Sequence, residues 1–323
     1  MDTKREVLLT HPVHAATVAA MEDEFRLHRL WEAHEPETLI AELAPRLAAI
    51  AGGKGCSAAF LDRFPSLRIV ANFGVGYDNI DAVHCGRRGI RVTNTPGVLD
   101  DEVADTAIGI LLCLAKKLVA GDRYVRDGAW LGGPMPLSAS LGGKTLGLVG
   151  LGRIGGRIAE LAVAHRMRVV YHARTPKDVP YRHYPDLVAM ARDVDALMVI
   201  VPGGEGTRNL VDRRVMEALG PAGLLVNVAR GSVVDEAALI DLLRSGALGG
   251  AGLDVFADEP NVPRALIDLG DKVVLEPHVG SATEETRTAM GRLMMDNLHA
   301  FFAGAPLLSE VRETAGARWN PGA

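Results

Sequence analysis

The sequence has few cysteines: three, Cys56, Cys85 and Cys113, in 323 residues. They are odd in number, widely spaced and set among apolar residues, which argues against a disulfide framework or a cysteine-rich metal site. We therefore predict three buried, reduced thiols and no bound metal.

The chain also lacks an excess of positive charge, long apolar runs and a secretion signal. Its formal net charge is −5, which argues against a nucleic-acid or anionic-membrane partner. No apolar run reaches the roughly 18 residues that a membrane span needs. The first ten residues lead directly into an apolar strand without the hydrophobic stretch of a signal peptide. We expect a cytoplasmic protein with no membrane association.

The length of the chain suggests two domains, and its apolar content of 48% suits well-packed cores. Short apolar segments alternate with helical segments from the start of the chain, which predicts a parallel sheet. The predicted strands of this first part are residues 6–10, 25–31, 47–52, 67–73 and 90–94. Thr95, Pro96 and Gly97 then mark a boundary.

The second part begins with a predicted long helix at 101–127 and continues with six predicted strands. These are residues 145–149, 169–171, 196–201, 224–228, 251–255 and 273–275. Ser281 and Glu284 have capping-box spacing and predict a helix that runs to Phe302. The residues after this helix are too few for a domain and are expected to pack on the first part.

A glycine-rich turn lies between the first two strands of the second part. Gly150, Gly152 and Gly155 follow an apolar strand and open a helix, which is the context of a dinucleotide-binding turn. We predict an α/β fold of two doubly wound parallel-sheet domains. A Rossmann dinucleotide-binding domain would span 100–286, and a smaller, flavodoxin-like substrate domain would combine 1–99 with 287–323.

Three side chains suited to catalysis follow neighbouring strands of the predicted sheet. Arg230, Glu259 and His278 each lie just past a strand, at the edge where open α/β sheets bind ligands. Each alone has an ordinary structural explanation: Arg230 as a surface charge, Glu259 as a helix-start carboxylate, and His278 as a capping or core histidine. Together they suit reduction of a 2-keto acid: the histidine donates a proton, the carboxylate stabilises its charged form and fixes the ring, and the arginine fork binds a carboxylate.

Several motifs extend this pattern over nearly the whole chain. They are NFGVGYDNID at 72–81, VTNTPG at 92–97 with VAD at 103–105, the glycine turn, NVARG at 227–231, GLDVF at 252–256 with Glu259, and PHVGS at 277–281. With these motifs the sequence resembles the D-isomer-specific 2-hydroxyacid dehydrogenases, and most of all their glyoxylate/hydroxypyruvate reductases.

The resemblance implies roles for residues in both domains. Arg230 would bind the substrate carboxylate and carbonyl, His278 would be the acid/base, and Glu259 its partner. Backbone N–H groups of Val75 and Gly76 would bind the substrate carboxylate, and a homodimer would form through the long helix. Thr106, Val228 and Asp254 would contact the nicotinamide half of the cofactor. We also expect cofactor contacts from Arg153, Ile154, Val201, Pro202, Thr207, Ala229 and Gly280, although the glycine-rich segment 202–207 departs from many family members.

The end of the second strand indicates which dinucleotide binds. NAD enzymes usually carry an acidic residue there, about 20 residues past the glycines. Here Arg174 and Thr175 follow the strand and no acid is present, so we predict a preference for NADP(H), with NAD(H) possible. A two-residue shift in register would instead place His172 at the ribose.

The sequence leaves two alternatives open. A bulkier aryl-pyruvate substrate is one, because the substrate-pocket side chains cannot be placed. A non-catalytic, dinucleotide-sensing interaction protein is another, although the presence of Arg230, Glu259 and His278 weighs against it. Formate dehydrogenases share the scaffold but pair the histidine with glutamine where Glu259 stands.

Overall fold

The structure is a computed structural model that describes residues 4–317. The chain divides into two compact units. The first contains the chain up to Leu99 and from Ala282 onward, and the second is Asp100–Ser281. The sequence placed the second boundary five residues later, at 286/287, and the outer limits of that assignment, 1–3 and 318–323, lie outside the described residues.

The described residues form twelve strands, each paired only in parallel with its sheet neighbours. They are β1 Glu6–Leu9, β2 Arg26–Arg29, β3 Ala49–Gly52, β4 Ile69–Asn72, β5 Arg91–Thr93, β6 Thr145–Val149, β7 Arg168–His172, β8 Arg182–His183, β9 Ala196–Val199, β10 Leu224–Asn227, β11 Gly250–Leu253 and β12 Val273–Leu275.

The described residues also form twelve α-helices. They are α1 Ala15–Glu24, α2 Pro36–Leu43, α3 Ala58–Leu61, α4 Ala82–Arg88, α5 Asp100–Lys116, α6 Leu118–Arg126, α7 Arg153–Ala164, α8 Leu187–Asp193, α9 Arg213–Leu219, α10 Glu236–Ser245, α11 Arg264–Ile267 and α12 Glu284–Phe302. None of these helices combines the length and the apolar character that a bilayer crossing requires.

The first unit has a five-stranded sheet in the order β2-β1-β3-β4-β5. This is the flavodoxin-like order of doubly wound sheets, as predicted. Alternate residues of its strands are buried on opposite faces: Leu8 and Ile50 belong to one core, Val7 and Leu9 to the other. The second of these cores also contains Leu298 of α12, so the last helix packs on the first unit's sheet.

The second unit has seven strands in the order β12-β11-β10-β9-β6-β7-β8. In chain order this is 3-2-1-4-5-6 with a seventh strand after the sixth, the Rossmann arrangement. The predicted count of six was wrong because β8 was missed. It has two polar residues, Arg182 and His183, at the sheet edge beside β7, and therefore gives no apolar signal.

Two helix predictions need correction. The predicted continuous helix at 101–127 is interrupted at Lys117, which has a left-handed backbone with φ of 53° between α5 and α6. The apolar spacing continues across this residue, so the sequence pattern did not reveal the break. The predicted cap Ser281 is also wrong: Thr283 caps α12, its side chain accepting the N–H of Thr286.

The cysteines are free thiols, and Cys56 and Cys85 are buried as predicted. Burial raises the pKa of both to about 12, which keeps them protonated and unreactive. Cys113 is only half-buried, because α5 turns this position partly away from the core.

Candidate active site

The predicted site residues of the second unit lie at one edge of its sheet. Because all seven strands are parallel, the segments that follow their carboxyl ends share this edge. They are the glycine turn after β6, His172 to Thr175 after β7, Val201 to Thr207 after β9, Val228 to Arg230 after β10, Asp254 to Glu259 after β11 and His278 to Gly280 after β12.

His278 and Glu259 form a hydrogen-bonded pair. The Nδ1 atom of His278 lies 2.7 Å from Oε2 of Glu259, and the other carboxylate oxygen accepts the N–H of Phe256 at 3.0 Å. Burial acts to raise the pKa of Glu259, but the hydrogen bonds from His278 and Phe256 and the fields of His278 and Arg230 outweigh it. The net pKa of Glu259 is therefore lowered. The carboxylate fixes the imidazole through Nδ1 and leaves Nε2 for a substrate.

Asp254 holds the turn that carries His278. Its two carboxylate oxygens accept the N–H groups of Val279 at 2.7 Å and Gly280 at 3.0 Å. His278 has a left-handed backbone with φ of 57°, a conformation that costs a residue with a side chain about 1–2 kcal/mol. Burial raises the pKa of Asp254 although both N–H groups act to lower it. The two hydrogen bonds stabilise this strained turn and so orient His278.

Arg230 lies in a loop that Asn227 organises. The Asn227 amide donates to the Arg230 carbonyl at 2.9 Å, and its oxygen accepts the Ala229 N–H at 3.0 Å. Arg230 Nη1 itself donates to the Ala229 carbonyl at 2.7 Å. Asn227 is part of a sequence motif, but no role was predicted for it. The feature that could have indicated the role is an amide at the end of a buried strand, where the neighbouring strands offer its side chain no hydrogen-bond partner.

The glycine turn fits a dinucleotide. Gly150 has φ of +102°, and a Cβ there would lie 2.4 Å from the Ile200 carbonyl oxygen. At Gly155 a Cβ would lie 2.8 Å from the Gly150 carbonyl oxygen, so α7 packs tightly on the turn. Gly152, in contrast, caps α7 and faces open space. Its backbone can therefore approach a pyrophosphate, which the free N–H groups of Arg153 and Ile154 at the helix start would bind.

Hydrogen bonds hold the segment after β7 in place on both sides of Arg174. The Tyr171 hydroxyl accepts the Lys177 N–H at 2.7 Å. His183 of β8 lies 2.9 Å from the Ala173 carbonyl, and His172 Nδ1 lies 2.9 Å from the Tyr184 carbonyl. Arg174 and Thr175 are exposed, and within residues 4–317 the Arg174 guanidinium has no hydrogen-bond or ion-pair partner. Tyr171 ends a predicted apolar strand, and no role was predicted for its hydroxyl.

The other predicted cofactor residues occupy the same edge. Thr207 closes the 202–207 loop by donating to the Pro202 carbonyl at 2.7 Å. The Thr106 hydroxyl of α5 donates to the Gly280 carbonyl at 3.3 Å. Val228 and Ala229 are buried, Val201 is half-buried, and Arg153 pairs with Asp100 at 2.8 Å. No group of three His, Cys, Asp or Glu residues suited to a metal ion occurs within the described part of the chain.

Val75 and Gly76 belong to the first unit, where they follow β4 in a half-buried loop. The Val75 carbonyl accepts the side-chain amide of Asn94 at 2.8 Å. The Gly76 carbonyl accepts the amide of Asn72 at 2.9 Å. The sequence motifs included both asparagines but did not indicate these contacts.

Comparisons with known proteins identify the family of the chain. Residues 108–280 match the family described as D-isomer specific 2-hydroxyacid dehydrogenase, NAD binding domain. The chain is 46% identical over 308 residues to glyoxylate/hydroxypyruvate reductase A of Arabidopsis thaliana, covering 94% of this chain and 98% of that protein. It is 42% identical to hydroxyphenylpyruvate reductase of Plectranthus scutellarioides, with the same two coverages, 94% and 98%.

A solved structure is similar to this chain over nearly its whole length. It is the NADPH-dependent glyoxylate/hydroxypyruvate reductase of Sinorhizobium meliloti in complex with NADP and malonate. The two proteins are 44% identical, with a TM-score of 0.90, and the match covers 97% of this chain and 98% of the other. The chain therefore belongs to the D-isomer specific 2-hydroxyacid dehydrogenase family and is an oxidoreductase that binds a nicotinamide dinucleotide.

Proposed function

We propose that this protein uses NADPH to reduce a small 2-keto acid, glyoxylate or hydroxypyruvate, to the D-2-hydroxy acid. The observation that carries the proposal is the 2.7 Å pair of His278 and Glu259, at the same sheet edge as Arg230 and the glycine turn. An acid with a fixed ring, a cation for a carboxylate and a dinucleotide turn are the three requirements of this reaction.

Each residue has a distinct role in the proposal. A reduced nicotinamide dinucleotide held at the glycine turn of Gly150, Gly152 and Gly155 would supply the hydride for the keto carbon. His278 gives the proton from Nε2 to the oxygen of that carbon, while Glu259 at Nδ1 stabilises the charged ring before transfer. Arg230 binds the substrate carboxylate with its planar fork and polarises the carbonyl. The backbone N–H groups of Val75 and Gly76 bind the same carboxylate, and those of the glycine turn bind pyrophosphate.

The preference for NADPH rests on the segment after β7. Arg174 and Thr175 are exposed and offer a cation and a hydroxyl to a 2′-phosphate. A charge-assisted hydrogen bond from Arg174 would favour the phosphorylated ribose. His172 is directed to the Tyr184 carbonyl at 2.9 Å, which argues for Arg174 rather than His172 as the ribose-side contact. The name of the Sinorhizobium meliloti relative, which is NADPH-dependent, supports the same assignment.

A second candidate substrate is an aryl pyruvate. It is favoured by the 42% identity to hydroxyphenylpyruvate reductase of Plectranthus scutellarioides, which is close to the 46% shared with the Arabidopsis reductase. The two substrates present the same keto and carboxylate groups to His278 and Arg230. They differ in the side-chain pocket, so the catalytic residues alone do not separate them.

The proposal includes a cytoplasmic homodimer. Exposed apolar side chains are concentrated in one stretch of the second unit, Leu118 to Leu137, and include Trp130, Leu131 and Leu137. Such a concentration is typical of an interface rather than of a monomer surface. It lies after the break at Lys117, in α6 and the segment that follows, rather than along α5.

The experiment that tests the function is a substrate and cofactor panel. Purified protein is assayed with glyoxylate, hydroxypyruvate, phenylpyruvate and hydroxyphenylpyruvate against NADPH and NADH. The proposal predicts the highest kcat/KM for one of the two small acids with NADPH. A higher kcat/KM for an aryl pyruvate would favour the second candidate, and failure of all four substrates with both cofactors would contradict both.

A further inference from the structure

The loop that carries Val75 and Gly76 has an unusual set of hydrogen bonds. Three consecutive carbonyl oxygens of this loop accept side-chain amides. Asn72 donates to the carbonyls of Gly74 and Gly76, each at 2.9 Å, and Asn94 donates to the carbonyl of Val75 at 2.8 Å. Two asparagines therefore hold every carbonyl from Gly74 to Gly76.

These bonds determine where the N–H groups of the loop point. In a trans peptide the carbonyl of one residue and the N–H of the next point in opposite directions. The three held carbonyls therefore turn the N–H groups of Val75, Gly76 and Tyr77 away from the asparagines. Within residues 4–317 none of these three N–H groups has an acceptor. Successive backbone N–H groups that have no acceptor within the protein can form a site for an anion.

The surrounding residues leave space for the side-chain amide of Asn72 and hold the backbone of Asn94 in place. Asn72 is 7% exposed and ends β4, so its side chain is held against the first unit's core. Gly53 lies beside it with φ of +88°, and a Cβ at this position would stand 2.4 Å from the Asn72 Oδ1 atom. The backbone of Asn94 is also fixed, because its N–H and carbonyl bond to Ser309 at 3.2 Å and 2.6 Å. Both amides thus start from rigid positions.

We propose that Asn72 and Asn94 are positioning residues for the substrate carboxylate, and that Tyr77 supplies a third N–H donor beside those of Val75 and Gly76. This inference rests on the proposed function for the identity of the anion. A hydrogen bond to a charged group contributes more than one between neutral groups. Tilting the peptides of the loop therefore weakens carboxylate binding without removing a group that touches the reacting atoms.

The test uses Asn94, which is half-buried and makes a single side-chain bond, so its loss leaves the fold intact. Asn94→Leu keeps the size and removes the donor, and Asn94→Ala removes both. Asn72→Ala is measured alongside, with urea unfolding to show that each variant is folded. The control is Asn79→Ala, which removes an exposed amide two residues past Tyr77 that makes no hydrogen bond with residues 4–317.

The first readout is binding of oxalate, measured by calorimetry in the presence of NADP+, and it does not require turnover. We expect Kd for oxalate to rise about 10-fold in Asn94→Leu and Asn94→Ala, the effect of one charge-assisted hydrogen bond. The second readout is kinetic. KM for the keto acid should rise by a similar factor with kcat nearly unchanged, because the amides do not act on the proton or the hydride.

The outcomes separate this inference from the proposed function. Wild-type Kd and KM in Asn94→Leu, or equal losses in Asn79→Ala, would overturn the role of the asparagines. A wild-type protein that reduces keto acids but binds no oxalate would overturn the anion site while the function stands. A protein that binds oxalate through Asn94 but reduces no keto acid would support the anion site and overturn the function.

Discussion

Gly231 lies directly against the backbone of Phe256: a Cβ at position 231 would stand 1.9 Å from the Phe256 carbonyl carbon. Gly231 follows Arg230, and the N–H of Phe256 bonds to the Glu259 carboxylate at 3.0 Å. The two loops that carry Arg230 and Glu259 are thus in contact through backbone alone. The glycine fixes the distance between the group proposed to bind the substrate carboxylate and the group that holds the acid.

Gly231→Ala should therefore damage both activity and stability. The added methyl must push the two loops apart, and overpacking of this kind costs about 1–3 kcal/mol. Displacement of Arg230 from Glu259 should lower kcat/KM by about 100-fold. The measurements are urea unfolding and steady-state kinetics. Gly109→Ala is the matched control, because a Cβ there meets nothing within 4 Å and alanine favours the middle of α5. Wild-type kcat/KM in Gly231→Ala would show that the loop contact does not position Arg230.

The His278–Glu259 pair gives a second prediction. His278→Ala should lower kcat by about 10²–10⁴-fold, the usual contribution of a general acid, with the Kd for NADPH nearly unchanged. Glu259→Gln should lower kcat less, because the ring remains present but loses the charge that stabilises its protonated form. Single-turnover kinetics with cofactor-binding titrations measure both effects. A kcat within a few fold of wild type in His278→Ala would remove this residue from the mechanism.

The lowered pKa of Glu259 predicts a pH dependence of stability. A carboxyl group whose pKa is lower in the folded protein binds fewer protons there than in the unfolded chain. Its contribution to stability is therefore full above the ordinary value of 4.5 and is lost as the pH falls through the lowered folded value. The difference in unfolding free energy between wild type and Glu259→Gln should shrink as the pH falls below 4.5. Denaturant unfolding between pH 7 and pH 3 tests this; a difference that grows in acid would contradict it.

The sequence predicted the parts of the fold and the site that depend on strand order. Apolar strands such as β9 and β10 can be predicted from their composition. Because the strands of the sheet are parallel, the residues that follow β11 and β12 then lie at the same edge of the sheet. The pairing of Glu259 with His278, nineteen residues apart, follows from that adjacency. Hydrogen bonds between side chains and the backbone of the loops were not predictable. Examples are the use of both Asp254 oxygens by the turn after β12 and the amide of Asn227 in the loop of Arg230.

The break between α5 and α6 and the short strand β8 were also not predictable from the sequence. Lys117 adopts a left-handed backbone conformation, although it is neither glycine nor asparagine, the residues that usually indicate one. The segment predicted as one helix therefore forms two, α5 and α6. The two-residue strand β8 is polar and stabilised by its pairing with β7. Propensity and periodicity describe a segment alone, whereas these features depend on what the segment packs against.

Assembly gives a further prediction. Leu131 and Leu137 are 96% and 94% exposed, which suits an interface in the proposed homodimer. Leu131→Lys combined with Leu137→Lys should shift the mass by light scattering from twice 34.3 kDa toward 34.3 kDa at micromolar concentration. The control is Val83→Lys, which charges an isolated apolar residue of the first unit that is 56% exposed. A monomeric wild type, or a dimer unaffected by both lysines, would contradict the assignment of this surface.

The final prediction concerns the choice between NADPH and NADH. Arg174 offers a charge-assisted, bidentate bond to a 2′-phosphate, and no carboxylate follows β7 to accept the 2′-OH of NADH. Hydrogen bonds to charged groups contribute about 1.5–3 kcal/mol, which corresponds to a preference of roughly 10- to 100-fold. Because Arg174 is exposed, solvent screening should place the value near the lower limit.

Arg174→Ala should therefore raise KM for NADPH about 10-fold and leave KM for NADH almost unchanged. Tyr171→Phe tests the support of the same segment, because its hydroxyl accepts the Lys177 N–H at 2.7 Å. It should raise KM for NADPH by a smaller factor, since the Arg174 guanidinium remains but its loop loses one hydrogen bond. Arg192→Ala, which removes an exposed arginine of α8, is the matched control for net charge. Equal use of both cofactors by the wild type, or equal loss with both in Arg174→Ala, would overturn the assignment of Arg174 to the 2′-phosphate.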